Sequence, residues 1–322
     1  MRATKWIVPA LTATVLLGGT AFCQSEEEFE LNLFRPRLEI SADTYPSRSF
    51  QDDTGEYGSH SGRIGVTLPL GSTHLRPNRS ILAWQFLAQA NLTEASPVIT
   101  LTPPIEDHRL YTGSLSLTSL MLGRSKNLYV VSLGATAAED QDTLKSPSDR
   151  FYGAGLATHR FGGKSTLIYG GAFAYTFGRG LVLPIIGGMW RLNPKWSLTA
   201  MAPFNVAANY KATDRVALRF RIGAAGNRFR LSNDNQSEFA GQPETVYLRI
   251  VQWRTTGEIE WKVSDAVSLV AQAGTARTLR FEIADNSRGA DPFIDEKGTS
   301  APYLRVAARF QFGKSILEQF KD

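Results

Sequence analysis

The sequence predicts an all-β fold, a single antiparallel transmembrane β-barrel of about fourteen strands, on three observations. Apolar and polar residues alternate with period two from Phe34 onward, short polar turns alternate with long polar loops, and tryptophans gather beside the short turns. Period two places one residue class on each face of a strand, and a two-faced strand suits a wall between lipid and a polar interior. No period near 3.6 appears between strands, which argues against α/β architectures.

Composition agrees. The 322 residues are 43% hydrophobic and 20% charged, so the chain is neither disordered nor collagen-like. Mean hydropathy is −0.18, and the one long uncharged apolar stretch lies at the N-terminus, which excludes a polytopic helical membrane protein. Residues 1–23 read as a signal peptide, with Arg2 and Lys5 before the apolar run Trp6 to Leu17 and small residues from Gly18 to Cys23. Cleavage after Cys23, cleavage after Ala21 and lipidation of Cys23 are the three alternatives. Cleavage after Cys23 removes the only cysteine, and with it any disulfide or cysteine metal site. Losing Arg2 and Lys5 leaves 33 basic against 30 acidic residues, too even a balance to argue for nucleic acid.

The barrel is expected over 24–322, with a short tail at 313–322. In order, strands are expected at 33–44, 62–71, 79–92, 108–122, 127–138, 151–161, 165–177, 181–192, 196–202, 204–211, 215–230, 244–262, 266–284 and 301–312. The first opposes Phe34, Leu38 and Ile40 to Arg35, Arg37 and Glu39. The central strands oppose large residues to small ones, as in Leu167, Tyr169, Phe173 and Tyr175 against Thr166, Gly170, Ala172 and Ala174. Later strands are again charged on one face: Leu218, Phe220 and Ile222 oppose Arg219 and Arg221, and Leu269, Ala271, Leu279, Phe281 and Ile283 oppose Gln272, Thr278, Arg280 and Glu282. The pair at 196–211 requires a tight turn at Pro203; without that turn the count is twelve.

Short connections fall at Gly123 to Lys126, Gly162 to Lys164, Asn193 to Lys195, Ala212 to Asp214 and Ser264 to Asp265. Long ones run over Pro46 to Ser61, Thr93 to Asp107, Ala138 to Asp149, Leu231 to Pro243 and Asp285 to Pro302. This asymmetry is that of periplasmic turns and external loops. Three short turns look alike, beginning at Leu192, Lys211 and Lys262, and read as recurring hairpin chemistry. Trp190, Trp196 and Trp261 lie beside them, as an interface girdle would. A soluble β-sandwich explains the alternation but not the loop asymmetry.

The terminal run Tyr303-Leu-Arg-Val-Ala-Ala-Arg-Phe-Gln-Phe312 resembles the C-terminal strand by which bacterial outer-membrane proteins are recognised for assembly, although ten residues follow the last aromatic. With the signal peptide and hairpins, the chain resembles uncharacterised outer-membrane β-barrel families of Gram-negative bacteria. The resemblance implies residence in the bacterial outer membrane, contact with its lipid, and Tyr303, Phe310 and Phe312 as the signal read by the barrel-assembly machinery.

Arginine and lysine facing lipid at mid-depth cost about 2 to 4 kcal/mol each, so the charged faces are expected inward. Arg35, Arg37, Glu39, Arg219, Arg221, Arg254, Glu258, Glu260, Lys262, Arg280, Glu282, Arg305 and Arg309 would then form one lumen wall in which arginines outnumber acids. Such a wall suits a passive channel for small polar or anionic solutes; it equally suits internal ion pairs that fill a closed structural or binding barrel acting through external loops. A lipid hydrolase would need a Ser and His pair at the rim, for which His60 between Ser59 and Ser61, and His108 beside Asp107, are the external candidates; His74 and His159 fall toward the short turns. Gly223-Ala-Ala-Gly226 lacks the lysine of a phosphate loop, and Asp285, Asp291, Asp295 and Glu296 lack ordered calcium spacing. No enzyme activity, cofactor, metal or nucleic-acid partner is expected.

Overall fold

The computed structural model describes residues 36–52, 55–74, 81–100, 109–123, 127–140, 150–161, 164–176, 179–202, 205–231, 246–285 and 292–312. The strands are β1 (Arg37–Ser49), β2 (Glu56–His74), β3 (Ile81–Thr100), β4 (Leu110–Gly123), β5 (Leu128–Glu139), β6 (Arg150–Phe161), β7 (Ser165–Thr176), β8 (Arg179–Arg191), β9 (Trp196–Ala202), β10 (Asn205–Lys211), β11 (Val216–Arg230), β12 (Val246–Lys262), β13 (Val267–Asp285), β14 (Ile294–Glu296) and β15 (Ser300–Gln311). Each pairs antiparallel with its neighbour, β15 pairs with both β1 and β13, and the ring closes as a barrel of fourteen staves with β14 as a short flap on β13. The alternative of twelve falls away, because β9 and β10 pair from Met201↔Asn205 down to Trp196↔Tyr210. The signal peptide, Pro203 and the tail at 313–322 lie outside the described residues.

Register makes every stave two-faced in the same sense. Leu115, Leu117, Leu133, Val182, Ile186, Phe220, Ile259 and Val306 are exposed on the outside, while Ser116, Thr118, Thr166, Thr199, Arg219, Glu258 and Arg309 are buried within. On β12 the outward Trp261 and Trp253 bracket Ile259, eight residues apart, which is about 26 Å along a strand and about 20 Å of height at barrel tilt. That matches the lipid-facing band of a membrane barrel.

The short turns are built alike because one side-chain oxygen nucleates each. Asn193 Oδ1 accepts from Lys195 N and Trp196 N, both at 2.9 Å; Thr213 Oγ1 accepts from Val216 N at 2.9 Å; Ser264 Oγ accepts from Ala266 N at 3.3 Å. These are the Asx and Ser/Thr turns expected of such residues. The opposite end is not level. β2, β3 and β13 have 19, 20 and 19 residues, β9 and β10 only seven each. Stretches expected as loop, 46–49, 56–61 and 93–100 among them, are therefore strand, since the tall staves continue beyond the band that lipid requires.

Above the low staves the tall ones close on each other. β11 outruns β10, whose last pair is Asn205↔Gly223, and bridges β5 in parallel through Arg230 and Glu139. The space they enclose is a packed apolar core: Tyr45, Phe50, Tyr57, Leu110, Ala138, Phe229, Leu248, Ile250, Phe281, Ile283 and Tyr303 are all buried in one cluster. Phe281 sits at its centre, with ring centroids 5.2 Å from Phe50 and 5.4 Å from Tyr57. The outer end of the barrel is thus a dome with a hydrophobic interior.

Candidate functional site

The lumen below the dome has two unlike walls. Along β6 to β9 the inward residues at mid-height are mostly small or apolar, with Ala154, Leu156, Ala172, Leu183, Ile185 and Met201 packed together, and the inward arginines Arg150, Arg160 and Arg191 stand at the strand ends. Gly134 on β5 belongs to this economy: a Cβ there would lie 2.3 Å from the ring of its cross-strand partner Tyr152, so glycine makes room for the tyrosine.

The other wall, from β10 round through β15 to β4, is a belt that is polar throughout, with its charges on β11, β12, β15, β1 and β2 and neutral amides and hydroxyls between and beside them. Arg219 donates to Asn209 Oδ1 at 2.9 Å and to Glu258 Oε1 at 2.8 Å, and Gln272 donates to the other oxygen of Glu258. Arg309, 1% exposed, donates from Nε to Glu39 Oε2 at 2.8 Å and stands 3.3 Å from Glu260 Oε2. Arg305 donates to Glu39 Oε1 at 2.6 Å and Ser41 Oγ at 3.2 Å. Beyond β1, Ser61 donates to Asp43 at 2.8 Å and Arg63 to Asn91 at 2.7 Å. Arg254 lies at the top of the belt, donating to Gln252 Oε1 at 2.8 Å with its guanidinium 4.4 Å from the centroid of Tyr303. Arg221 shares the inward face of β11 with Arg219 and Gly223.

Register therefore brings Arg37, Glu39, Arg219, Arg221, Arg254, Glu258, Glu260, Arg305 and Arg309 to one interior wall. On this wall, below the dome, inward Arg37, Arg63, Arg219, Arg221, Arg254, Arg305 and Arg309 outnumber Glu39, Asp43, Glu258 and Glu260. Arg63 and the arginines of β6 and β8 were missed in the sequence because none has a second charge two residues away to mark a charged face. Arg35 lies outside the described residues.

Two expected positions are corrected. Arg280 and Glu282 face the outside of the dome, because a bulge between Thr278 and Arg280 leaves Leu279 unpaired and reverses the alternation. Thr278 points inward below the bulge and Phe281 and Ile283 point inward above it, while Arg280, Glu282, Arg249 and Asp295 join in ion pairs of 2.8 to 2.9 Å on the other face. A bulge inserts one residue and so switches faces. Tyr303 lies on the inward face expected for Arg305 and Arg309, 2% exposed and part of the dome core, opposite to the outward Phe310 and Phe312. Trp190, Trp196 and Trp261 are exposed at the short-turn end, and Trp253 marks the far edge of the band.

The rim residues separate rather than converge. His60 belongs to β2 and points outward, where Thr44 Oγ1 is 2.8 Å from its Nδ1, whereas Ser59 and Ser61 point into the barrel. His108, Asp107 and Asp291 lie outside the described residues. Among the described residues no three His, Cys, Asp or Glu side chains are grouped to hold a metal ion.

A family model described as a domain of unknown function, DUF6268, matches residues 33–313. No curated protein matches the chain. Among solved structures, an outer-membrane channel from Pseudomonas putida F1 is 11% identical with a TM-score of 0.41, the alignment covering 86% of this chain and 96% of that one. The translocator domain of the autotransporter NalP from Neisseria meningitidis is 9% identical at 0.35, covering 96% and 100%. A FadL homologue from Pseudomonas aeruginosa is 10% identical at 0.30, covering 87% and 91%.

Proposed function

Because the chain belongs to the DUF6268 family, a domain of unknown function, its role has to be read from its own residues, and we propose an outer-membrane β-barrel that passes small anions and polar solutes, shut at rest by its dome. The observation that carries the reading is the inward excess of arginine over acid along one wall. Fixed positive charge in a narrow, low-dielectric passage concentrates anions and repels cations. The apolar band with tryptophan at both edges supports residence in a bilayer, and the aromatic, alternating strand β15 supports assembly by the outer-membrane insertion machinery.

A second reading, a closed barrel that acts by binding at its outer face, is favoured by one feature, the dome core over the lumen. Ion flux into proteoliposomes separates the two. The passage predicts chloride entry faster than potassium entry, and an Arg221→Glu variant with that preference reduced at least threefold. Arg221 is the better probe than Arg305 or Arg309, which Glu39 holds in ion pairs that a reversal would break. Equal impermeability to both ions in a protein shown to be folded would favour the closed barrel.

A further inference from the structure

The acids of the belt are already taken up by particular arginines. Glu258 holds Arg219 and Gln272, Glu39 holds Arg305 and Arg309, and Glu260 faces Arg309. Of the belt arginines outside these pairings, Arg63 donates to the amide of Asn91, and Arg221 and Arg254 adjoin each other. Arg254 donates only to the neutral amide oxygen of Gln252, through Nε and one terminal nitrogen, and a guanidinium carries five N–H donors. Arg221 forms no ion pair with a described acid, and the fields of Arg219, Arg254 and Arg305 oppose that of Glu258 at its guanidinium. The two are diagonal neighbours on the inward face, since Arg221 pairs with Thr256 and Gly223 with Arg254. Diagonal inward positions lie about 7 to 8 Å apart, a span that one carboxylate can bridge between two guanidinium groups.

The surroundings of this pair are uncommon for a polar passage. Small residues flank it: Ala207 is paired with Arg221 on one side and Thr256 on the other. Above it, the underside of the dome is aromatic, with Tyr303 against the Arg254 guanidinium and the tilted rings of Tyr45 and Tyr57, centroids 5.7 Å apart, behind. An inorganic anion would gain nothing from those rings. A planar apolar body attached to a carboxylate would gain both a bidentate or bridged salt link and a ring contact.

We propose that Arg221 and Arg254 form the anion subsite, and Tyr45, Tyr57 and Tyr303 the ring subsite, of a lumen site for small aromatic carboxylates. The proposal deepens the reading of the lumen as an anion passage, and its test is read without conductance. Benzoate, acetate and benzyl alcohol are titrated calorimetrically into the folded full-length mature barrel in detergent, against blank micelles, with folding checked by heat-modifiable gel mobility. Saturable benzoate binding at least tenfold tighter than acetate, with none for benzyl alcohol, is expected, together with at least a tenfold loss in Arg221→Gln and in Arg254→Gln. Benzoate no tighter than acetate overturns the ring subsite, and benzyl alcohol binding as well as benzoate overturns the anion subsite. Unchanged benzoate binding in both variants overturns the assignment to these arginines. Absence of benzoate binding in a barrel that still conducts chloride overturns the site and leaves the passage standing; benzoate binding without any conductance upholds the site and overturns the passage.

Discussion

A Phe281→Ala variant is expected to lose about 3 to 5 kcal/mol of stability and to conduct more freely than the parent. Phe281 is fully buried at the centre of the dome, in contact with the rings of Phe50 and Tyr57, and its strand partner Ile250 belongs to the same cluster. Truncation leaves a cavity where side chains from opposite sides of the barrel meet, and the cost has both a transfer and a cavity component. Because those residues are what occupies the outer end of the lumen, loosening them opens the mouth. Urea unfolding in vesicles reads the first effect, and open probability in a planar bilayer reads the second. A destabilised variant with unchanged open probability would mean that the dome core is structural and lies off the conducting path.

Replacing Glu39 with Gln is expected to cost a further amount of similar size, about 3 to 5 kcal/mol. Glu39 accepts from Arg305 at 2.6 Å and from Arg309 at 2.8 Å across the seam between β15 and β1, where the barrel closes. A glutamine fits the space but leaves two buried guanidinium groups sharing a neutral acceptor. Breaking a buried pair by removing one partner is far more costly than replacing both. The double variant Glu39→Gln, Arg309→Met therefore recovers part of the loss. Urea midpoints for the two single variants and the double variant measure the coupling, and additive losses would show that the pair does not act as a unit.

The barrel was legible because its signals are local. Alternation on β11 and β15, the Asn, Thr and Ser that nucleate three short turns, and the contrast between brief and long connections each need only a few consecutive residues. Much of the charged wall was legible for the same reason, since Arg219 with Arg221, Glu258 with Glu260 and Arg305 with Arg309 repeat at period two. What escaped the sequence depends on partners distant in the chain. The bulge at Leu279 is invisible to alternation, because Leu279, Phe281 and Ile283 keep the odd apolar parity of Val267 to Ala273 while the inward face changes beneath it. The dome needs β5 and β11 to meet over five lower staves, and no local pattern encodes that encounter. The parity of Tyr303 with Arg305 and Arg309 was legible, but its packing against the dome core was not, because that core comes from distant strands. The Arg221 and Arg254 pair appears only when the register of β11 against β12 is known.

The central claim is that an excess of inward arginine makes this barrel favour anions. Its most direct test is the single-channel reversal potential of the refolded mature protein in a planar bilayer under a potassium chloride gradient. The account predicts discrete openings whose reversal potential lies toward the equilibrium potential of chloride. A reversal potential toward that of potassium would contradict it.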